Sequence, residues 1–390
     1  MKRSTLILAC LAAVSAGCGG GSGAAPIDAA PSAYVADRPT PACGLGYVRF
    51  DPGLYPFTSR CIDLGFGALH YLDELPPESS GLSAPRGTVL MVHGNPTSSF
   101  LYRNVALGLL ARGYRVIAPD HHGFGRSAKP DARAFAYRPS DHANVLESFV
   151  DRLDLRDFTL VVQDWGGPVG LAMAVERAAR VRNLLVMNTW AWQVEEADAQ
   201  GPYGDLIRWS ISNRENSAAV IADASIPRGV GELLASYAPP EQRTAVRDAY
   251  WSPFIDPASG QPWSPTVAAP TNTFARSILE DRAIFDRLGT LSPLAGKPVT
   301  FFFGQRDPYF GALTPNPDGS CASGAPGSRD GRTYCLAAGQ LQYPYIVRWR
   351  ALWQPGAVRG VEIDPNAEHF IQETAAPRIV ELIDALNRGF

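Results

Sequence analysis

Short apolar, partly β-branched runs recur along the chain at Thr88 to Val92, Arg115 to Asp120, Phe158 to Gln163, Asn183 to Met187 and Val299 to Phe303. Unbroken apolar runs of this length are the pattern of strands covered on both faces. Segments with a single apolar stripe lie between them. Leu101, Val105 and Leu109 recur at four-residue spacing and predict a helix. A second helix is predicted from about Asp141, with Ser140 as its cap and Leu146, Phe149, Val150 and Leu153 as its inner stripe. The last carries Ile379, Leu382, Ile383 and Leu386. Tyr47 to Phe50 and Ala68 to Leu72 look like early strands, and Val358 to Ile363 like a late one. Alternation of this kind predicts an α/β fold with a mostly parallel sheet and helices on both faces.

The rhythm breaks after Met187. From 188 to 288 the pattern turns helical and aromatic, with Trp190, Trp192, Tyr203, Trp209, Tyr237, Tyr250, Trp251 and Trp263, and it predicts a helical cap inserted into the sheet domain. The core is then expected over 44–187 and 289–390. From Pro315 to about Gly331 the chain is rich in Pro, Gly, Ser and Asp, a surface loop.

The N-terminal stretch changes the picture again. Lys2 and Arg3 followed by a short apolar run read as a signal peptide over residues 1–17, and Val14-Ser15-Ala16-Gly17-Cys18 resembles a lipobox that would lipidate Cys18, although serine stands where leucine is usual. Residues 18–43 read as a flexible linker. The expected location is the cell envelope, lipid-anchored through Cys18, or otherwise the periplasm or medium. Apart from Cys10 in the leader and Cys18, four cysteines remain and allow three pairings, and the two local ones, Cys43 with Cys61 and Cys321 with Cys335, need no special topology. With 46% hydrophobic and 19% charged residues the chain can bury a large core. A formal charge of −3, about −5 once Lys2 and Arg3 are removed, and no clustered basic face argue against nucleic acid as a partner. Scattered histidines and the lack of a C-x2-C spacing argue against a metal site.

The chemistry converges on Gln163-Asp164-Trp165-Gly166-Gly167. A strand that ends in one polar residue, followed at once by glycines and a helix, is a nucleophile elbow, and here it lifts a carboxylate. No G-x-S-x-G occurs, which disfavours a serine hydrolase. In a dry pocket a carboxylate can attack an electrophilic carbon and form an ester that water later cleaves.

Together with His93-Gly94-Asn95-Pro96-Thr97-Ser98-Ser99, the turn Gly123-Phe124-Gly125-Arg126-Ser127 and Glu368-His369-Phe370-Ile371-Gln372, the elbow resembles the haloalkane dehalogenases of the α/β-hydrolase fold, from about residue 45 to the C-terminus. The resemblance implies that Asp164 displaces halide from a small halogenated substrate and that His369 activates the water that hydrolyses the ester. It implies that Asn95 and Trp165 hold the halide through their side chains and the oxyanion through their backbone amides. The family's acid stands in one of two places. Where one group carries it this chain has Asn188, so Asp307, after the strand following the cap, is expected to orient His369 in preference to Glu195 or Glu196. No cofactor or metal is implied. Epoxide hydrolases share the Asp and His and the H-G-x-P turn and would use cap tyrosines, of which Tyr203, Tyr237 and Tyr250 are available. Asn95 suits a halide better than an epoxide. A lipid-tethered binding protein is the non-enzymatic alternative, disfavoured because every catalytic residue type is present. Of the remaining histidines, His93 reads as structural, His121 and His122 as solvent-facing or turn-capping, and His70 and His142 as surface residues.

Overall fold

A computed structural model describes residues 47–78, 81–200, 203–289, 291–310 and 344–389. The leader over 1–17, the linker over 18–43, Cys18, Cys43 and the loop with Cys321 and Cys335 lie outside the described residues.

The sheet has eight strands: β1 (Arg60–Asp63), β2 (Ala68–Glu74), β3 (Thr88–Val92), β4 (Arg115–Pro119), β5 (Phe158–Gln163), β6 (Val181–Met187), β7 (Val299–Gly304) and β8 (Val358–Asp364). Their order is β1-β2-β4-β3-β5-β6-β7-β8. The two β2 pairings, with β1 and with β4, are antiparallel and all others parallel. This is the predicted α/β architecture. Side chains alternate across a strand. Val89, Met91, Val161 and Leu185 therefore face one side, where α1 (Arg103–Ala111) and, near the C-terminus, the helix Ala376–Arg388 supply Val105, Leu109, Ile379 and Ile383. Leu90, Val92, Leu160, Val162 and Leu184 face the other, where α2 (Pro139–Arg152) and α3 (Gly166–Glu176) supply Leu146, Phe149, Val169 and Met173. Burying each such side chain is worth roughly 1.5–3 kcal/mol, which is why strands with no polar face are stable here.

Between β6 and β7 the chain is helical: α4 (Gly204–Glu215), α5 (Ser217–Ala222), α6 (Ser225–Tyr237), α7 (Arg243–Trp251), α8 (Ala269–Glu280) and α9 (Arg282–Leu288). The last of these does not share the others' position. Arg287 on α9 donates to the Ala172 carbonyl at 3.1 Å and to Asn144 at 2.9 Å, so α9 packs on the layer that covers the sheet. After β7 come α10 (Pro344–Leu352), β8, the short α11 (Ile371–Thr374) and α12 (Ala376–Arg388).

Two local expectations are corrected. Tyr47 to Phe50 form no strand: the Arg49 amide donates to the Ser252 hydroxyl at 2.8 Å instead of to a ladder, and Val48 and Phe50 pack with Phe100, Val246 and Tyr250. Helix α2 is capped by Arg138, not Ser140; Asp141 accepts from the Arg138 amide at 3.2 Å, and Ser140 lies inside the first turn, its amide donating to Asp281 at 2.8 Å.

Candidate active site

Asp164 stands just past the end of β5 with φ +52, a left-handed backbone that a non-glycine residue adopts only under constraint. The constraint is visible on both sides. The Asp164 amide donates to the Asn188 carbonyl at 3.0 Å, and the Thr189 hydroxyl donates to the Asp164 carbonyl at 2.6 Å. Gly166 is required because a Cβ there would overlap the Val92 carbonyl, and Gly94 because one there would overlap the Asp164 carboxylate itself. Thus the ends of β3, β5 and β6 close around one carboxyl group.

His369 reaches this group from the loop after β8. Its Nε2 lies 3.3 Å from Asp164 Oδ2, and its Nδ1 lies 2.8 Å from Asp307 Oδ2. Asp307, in the turn after β7, is held in turn by the amides of Tyr309 at 2.7 Å and Phe310 at 3.0 Å, both donating to Oδ1. A carboxylate at Nδ1 requires the proton on that nitrogen and turns Nε2 toward Asp164. Burial pulls the His369 imidazolium down, but the Asp307 charge and the hydrogen bonds and charge of the two carboxylates outweigh it and push the group up to about 10. The alternative acids are elsewhere: Glu195 is exposed and paired with Arg282 at 3.0 Å, and Glu196 with Arg214 at 2.5 Å.

Asn95 brings a donor to the same carboxylate. The Asn95 amide donates to Asp164 Oδ1 at 2.7 Å. The Asn95 side chain spends one N–H on the Thr271 carbonyl of α8, at 3.1 Å, which ties the turn after β3 to the helical insert. Trp165 is fully buried, and its indole Nε1 has no hydrogen-bond partner. Around it lie Trp190, Phe274 and Phe285, with ring centroids 4.8, 5.6 and 6.2 Å away. An indole N–H left unspent in an apolar shell costs free energy unless something occupies it. A desolvated anion is what such a donor fits.

Five histidines belong to another environment. His121 and His122 do not face solvent, and His70 and His142 are not surface residues; all four are buried. His70 Nδ1 donates to Asp120 at 2.8 Å, and the second oxygen of Asp120 takes the Ser99 amide at 2.7 Å. The turn after β4 folds inward, and the His121 amide donates to His93 Nε2 at 2.9 Å while His121 Nε2 meets the His93 carbonyl at 3.0 Å. His142 packs against His121, Phe135 and Phe274 with both ring nitrogens unpartnered. His93 is structural, as expected: its side chain braces the turn that presents Asn95.

The cap tyrosines are committed away from Asp164. Tyr237 donates to Glu368 and Tyr250 to Glu373, each at 2.5 Å, and Glu373 also takes a two-pronged bond from buried Arg103 at 2.6 and 2.7 Å. Burial raises both phenols, so they keep their protons. Tyr203 packs edge-on against Tyr345. None of the three is poised as a ring-opening acid.

Two residues of the site are given no role by the sequence. Gln163 Nε2 donates to the His369 carbonyl at 3.0 Å, and Asn188 Nδ2 donates to the same carbonyl at 3.0 Å and to that of Glu368 at 2.9 Å. The sequence marks Asn188 only as an amide where an acid would stand, and Gln163 only as a strand end. Among the described residues no group of three or more His, Cys, Asp or Glu side chains is arranged to hold a metal ion. Cys61, the one described cysteine, is buried and disulfide-bonded.

Comparison with known proteins agrees with the geometry. A family profile described as the alpha/beta hydrolase fold matches residues 87–217. Haloalkane dehalogenase 2 of Mycobacterium tuberculosis is 33% identical over 339 residues, spanning 85% of this chain and 96% of that protein. The haloalkane dehalogenase of Mycobacterium marinum is 31% identical over 336 residues, 84% of this chain and 93% of its own. Among solved structures, haloalkane dehalogenase DpaA from Paraglaciecola agarilytica superposes with a TM-score of 0.60 at 22% identity, covering 86% of this chain and 94% of that one. DatA from Agrobacterium tumefaciens gives 0.59 at 19%, covering 85% and 96%. At such identities the structural likeness speaks for the fold.

Proposed function

Because the chain belongs to the haloalkane dehalogenases of the α/β-hydrolase fold, we propose that it hydrolyses the carbon–halogen bond of small halogenated organic compounds through an ester on Asp164. Asp164 Oδ1 is held by the Asn95 amide, so Oδ2 is the attacking oxygen. It forms a bond to the halogen-bearing carbon as the carbon–halogen bond breaks, and halide leaves with the bonding pair. The indole N–H of Trp165 and the remaining side-chain N–H of Asn95 receive the developing negative charge.

Ester formation changes His369. At neutral pH the resting ring is an imidazolium between two carboxylates. Esterification removes the charge of Asp164, and with it two of the influences that hold the proton, so the ring releases it and becomes a base. Neutral His369 then takes a proton from water as its oxygen adds to the Asp164 carboxyl carbon, and Asp307 steadies the imidazolium that results. The oxyanion forms at Oδ1, where the amides of Asn95 and Trp165 act as donors. Collapse breaks the bond to the alkyl oxygen; the alcohol leaves with the His369 proton, and the proton left on the Asp164 carboxyl passes to His369. That restores the carboxylate and the imidazolium, and the proton released after esterification is the one lost to solvent. The balance is one haloalkane and one water to alcohol, halide and a proton.

The observation that carries this reading is Asp164 held by the Asn95 amide and faced by His369, with an unspent indole N–H on Trp165, the next residue in the chain. The test is halide release from 1-bromobutane against diol formation from styrene oxide. Bromide from the first is expected; activity on the epoxide alone would overturn the reading. We also infer export, with lipidation at Cys18 and pairing of Cys61 with Cys43 and of Cys321 with Cys335; the disulfide state of Cys61 supports an oxidising compartment. Labelled palmitate should be incorporated by the native chain and lost in Cys18→Ser.

A further inference from the structure

The base of this site is fixed by its main chain as well as by its ring. The carbonyl of His369 accepts from two buried side-chain amides on neighbouring strand ends, Gln163 Nε2 at 3.0 Å and Asn188 Nδ2 at 3.0 Å. Both residues are fully buried. Asn188 also donates to the Glu368 carbonyl at 2.9 Å and accepts the Gly304 amide on its Oδ1 at 2.8 Å. Its side chain therefore joins the loop that bears His369 to the end of β7, three residues before Asp307. Its own carbonyl holds the Asp164 amide at 3.0 Å. One residue thus touches the backbone supports of the nucleophile, the base and the acid.

Gln163 has a second contact. Its Nε2 lies 3.3 Å from His369 Nε2, while Gln372 donates to its Oε1 at 3.3 Å. The alternative amide orientation would set two oxygens against each other at the His369 carbonyl, so the N–H is the end that faces the histidine. Neither side chain donates to Asp164, Asn95 or Trp165, the residues that make and stabilise the ester.

We propose that Gln163 and Asn188 form an amide clamp on the His369 carbonyl that positions the base for the hydrolytic half of the reaction only. This rests on the role given to His369 above. The two amides hold the imidazole in register with Asp307 on one side and the esterified carboxyl on the other; the displacement step, which needs only Asp164 and the halide donors, does not use them. A misplacement of the order of 1 Å at a catalytic group costs about 10²-fold, and the clamp confines that cost to one step.

The variants are Asn188→Leu and Gln163→Met, which keep bulk and remove the donors. Rapid quench with 1-bromobutane, followed by mass analysis of the peptide bearing Asp164, reads ester formation and ester decay separately. Ester formation is expected within about twofold of the native rate and ester decay slowed about 10²-fold, so that ester accumulates on Asp164 in steady state. Equal slowing of both steps, or decay at the native rate in either soluble variant, overturns the clamp. Should Asn188→Leu fail to fold, Gln163→Met leaves the tie between the loop and β7 intact and carries the same expectation. Native enzyme that releases bromide with no ester ever detected on Asp164 fails differently: it removes the proposed mechanism itself, and the clamp with it.

Discussion

His369 and the five histidines gathered near the turns after β3 and β4 are the same side chain in opposite circumstances. His369 lies between Asp164 and Asp307, and their charges overcome its burial. His93, His121 and His142 lie among aromatic rings and one another, and burial holds all three below the ordinary imidazole range; His122 is pushed down to about 4. Burial decides for these histidines, and at His369 two carboxylates override it. Of the second group, His70 also touches a carboxylate, that of Asp120.

The sharpest way to break the comparison is to remove the charged member. His369→Gln is expected to lower turnover about 10³- to 10⁴-fold while leaving ester formation intact, measured by halide release and by the mass of the Asp164 peptide. Asp307→Ala removes the partner that raises the ring. It is expected to cost about 10³-fold in ester hydrolysis, whereas Glu195→Ala, which breaks an exposed pair with Arg282, should leave turnover unchanged. A functional Asp307→Ala with an inactive Glu195→Ala would reassign the acid. Trp165→Phe keeps the aromatic packing and deletes the donor. Its expected effect is about 10²-fold on ester formation, read in the burst of bromide.

The smallest effect is on stability, and its sign differs between the two groups. The proton held by His369 stabilises the folded chain fully below pH 6.5, and that contribution disappears as pH rises through about 10. The depressed histidines do the reverse. Above pH 6.5 they cost nothing, and as pH falls from 6.5 toward 4 the unfolded chain takes up a proton that His122 in the fold refuses, at about 1.4 kcal/mol per pH unit. His142→Phe should flatten the acid limb of a urea-unfolding profile and His369→Gln the alkaline limb. If His142→Phe left the acid limb unchanged, His142 would have no part in acid sensitivity.

This contrast also marks where sequence reading stops. His369 and Asp307 were expected only through the resemblance to the dehalogenases. The elbow at Asp164 was legible because strand ends and glycines fix it locally: a fully apolar run leaves one register, and Gly166 admits one approach of helix to strand. The predicted sheet followed for the same reason. Histidine burial was not legible, because His121 and His122 follow a strand in a segment that looks like any polar turn, and only the inward fold against Phe124, Phe135 and Phe274 makes it core. Tyr47 to Phe50 alternates like a strand but pairs with Ser252, a residue some two hundred positions away. Strand β1 escaped notice because only Cys61 in it is buried. Gln163 and Asn188 stand next to positions the sequence marks, but their own importance lies in a carbonyl brought to them from the far end of the chain.

Tyr237 and Tyr250 bolt the helical insert to Glu368 and Glu373, on either side of the base. A mutation that shifts α6 or α7 will therefore be felt in the segment that carries His369. Reshaping the insert and placing the histidine are thus mechanically coupled, so substitutions meant to change the insert should spare these two ties and equally Thr271 of α8, which holds Asn95.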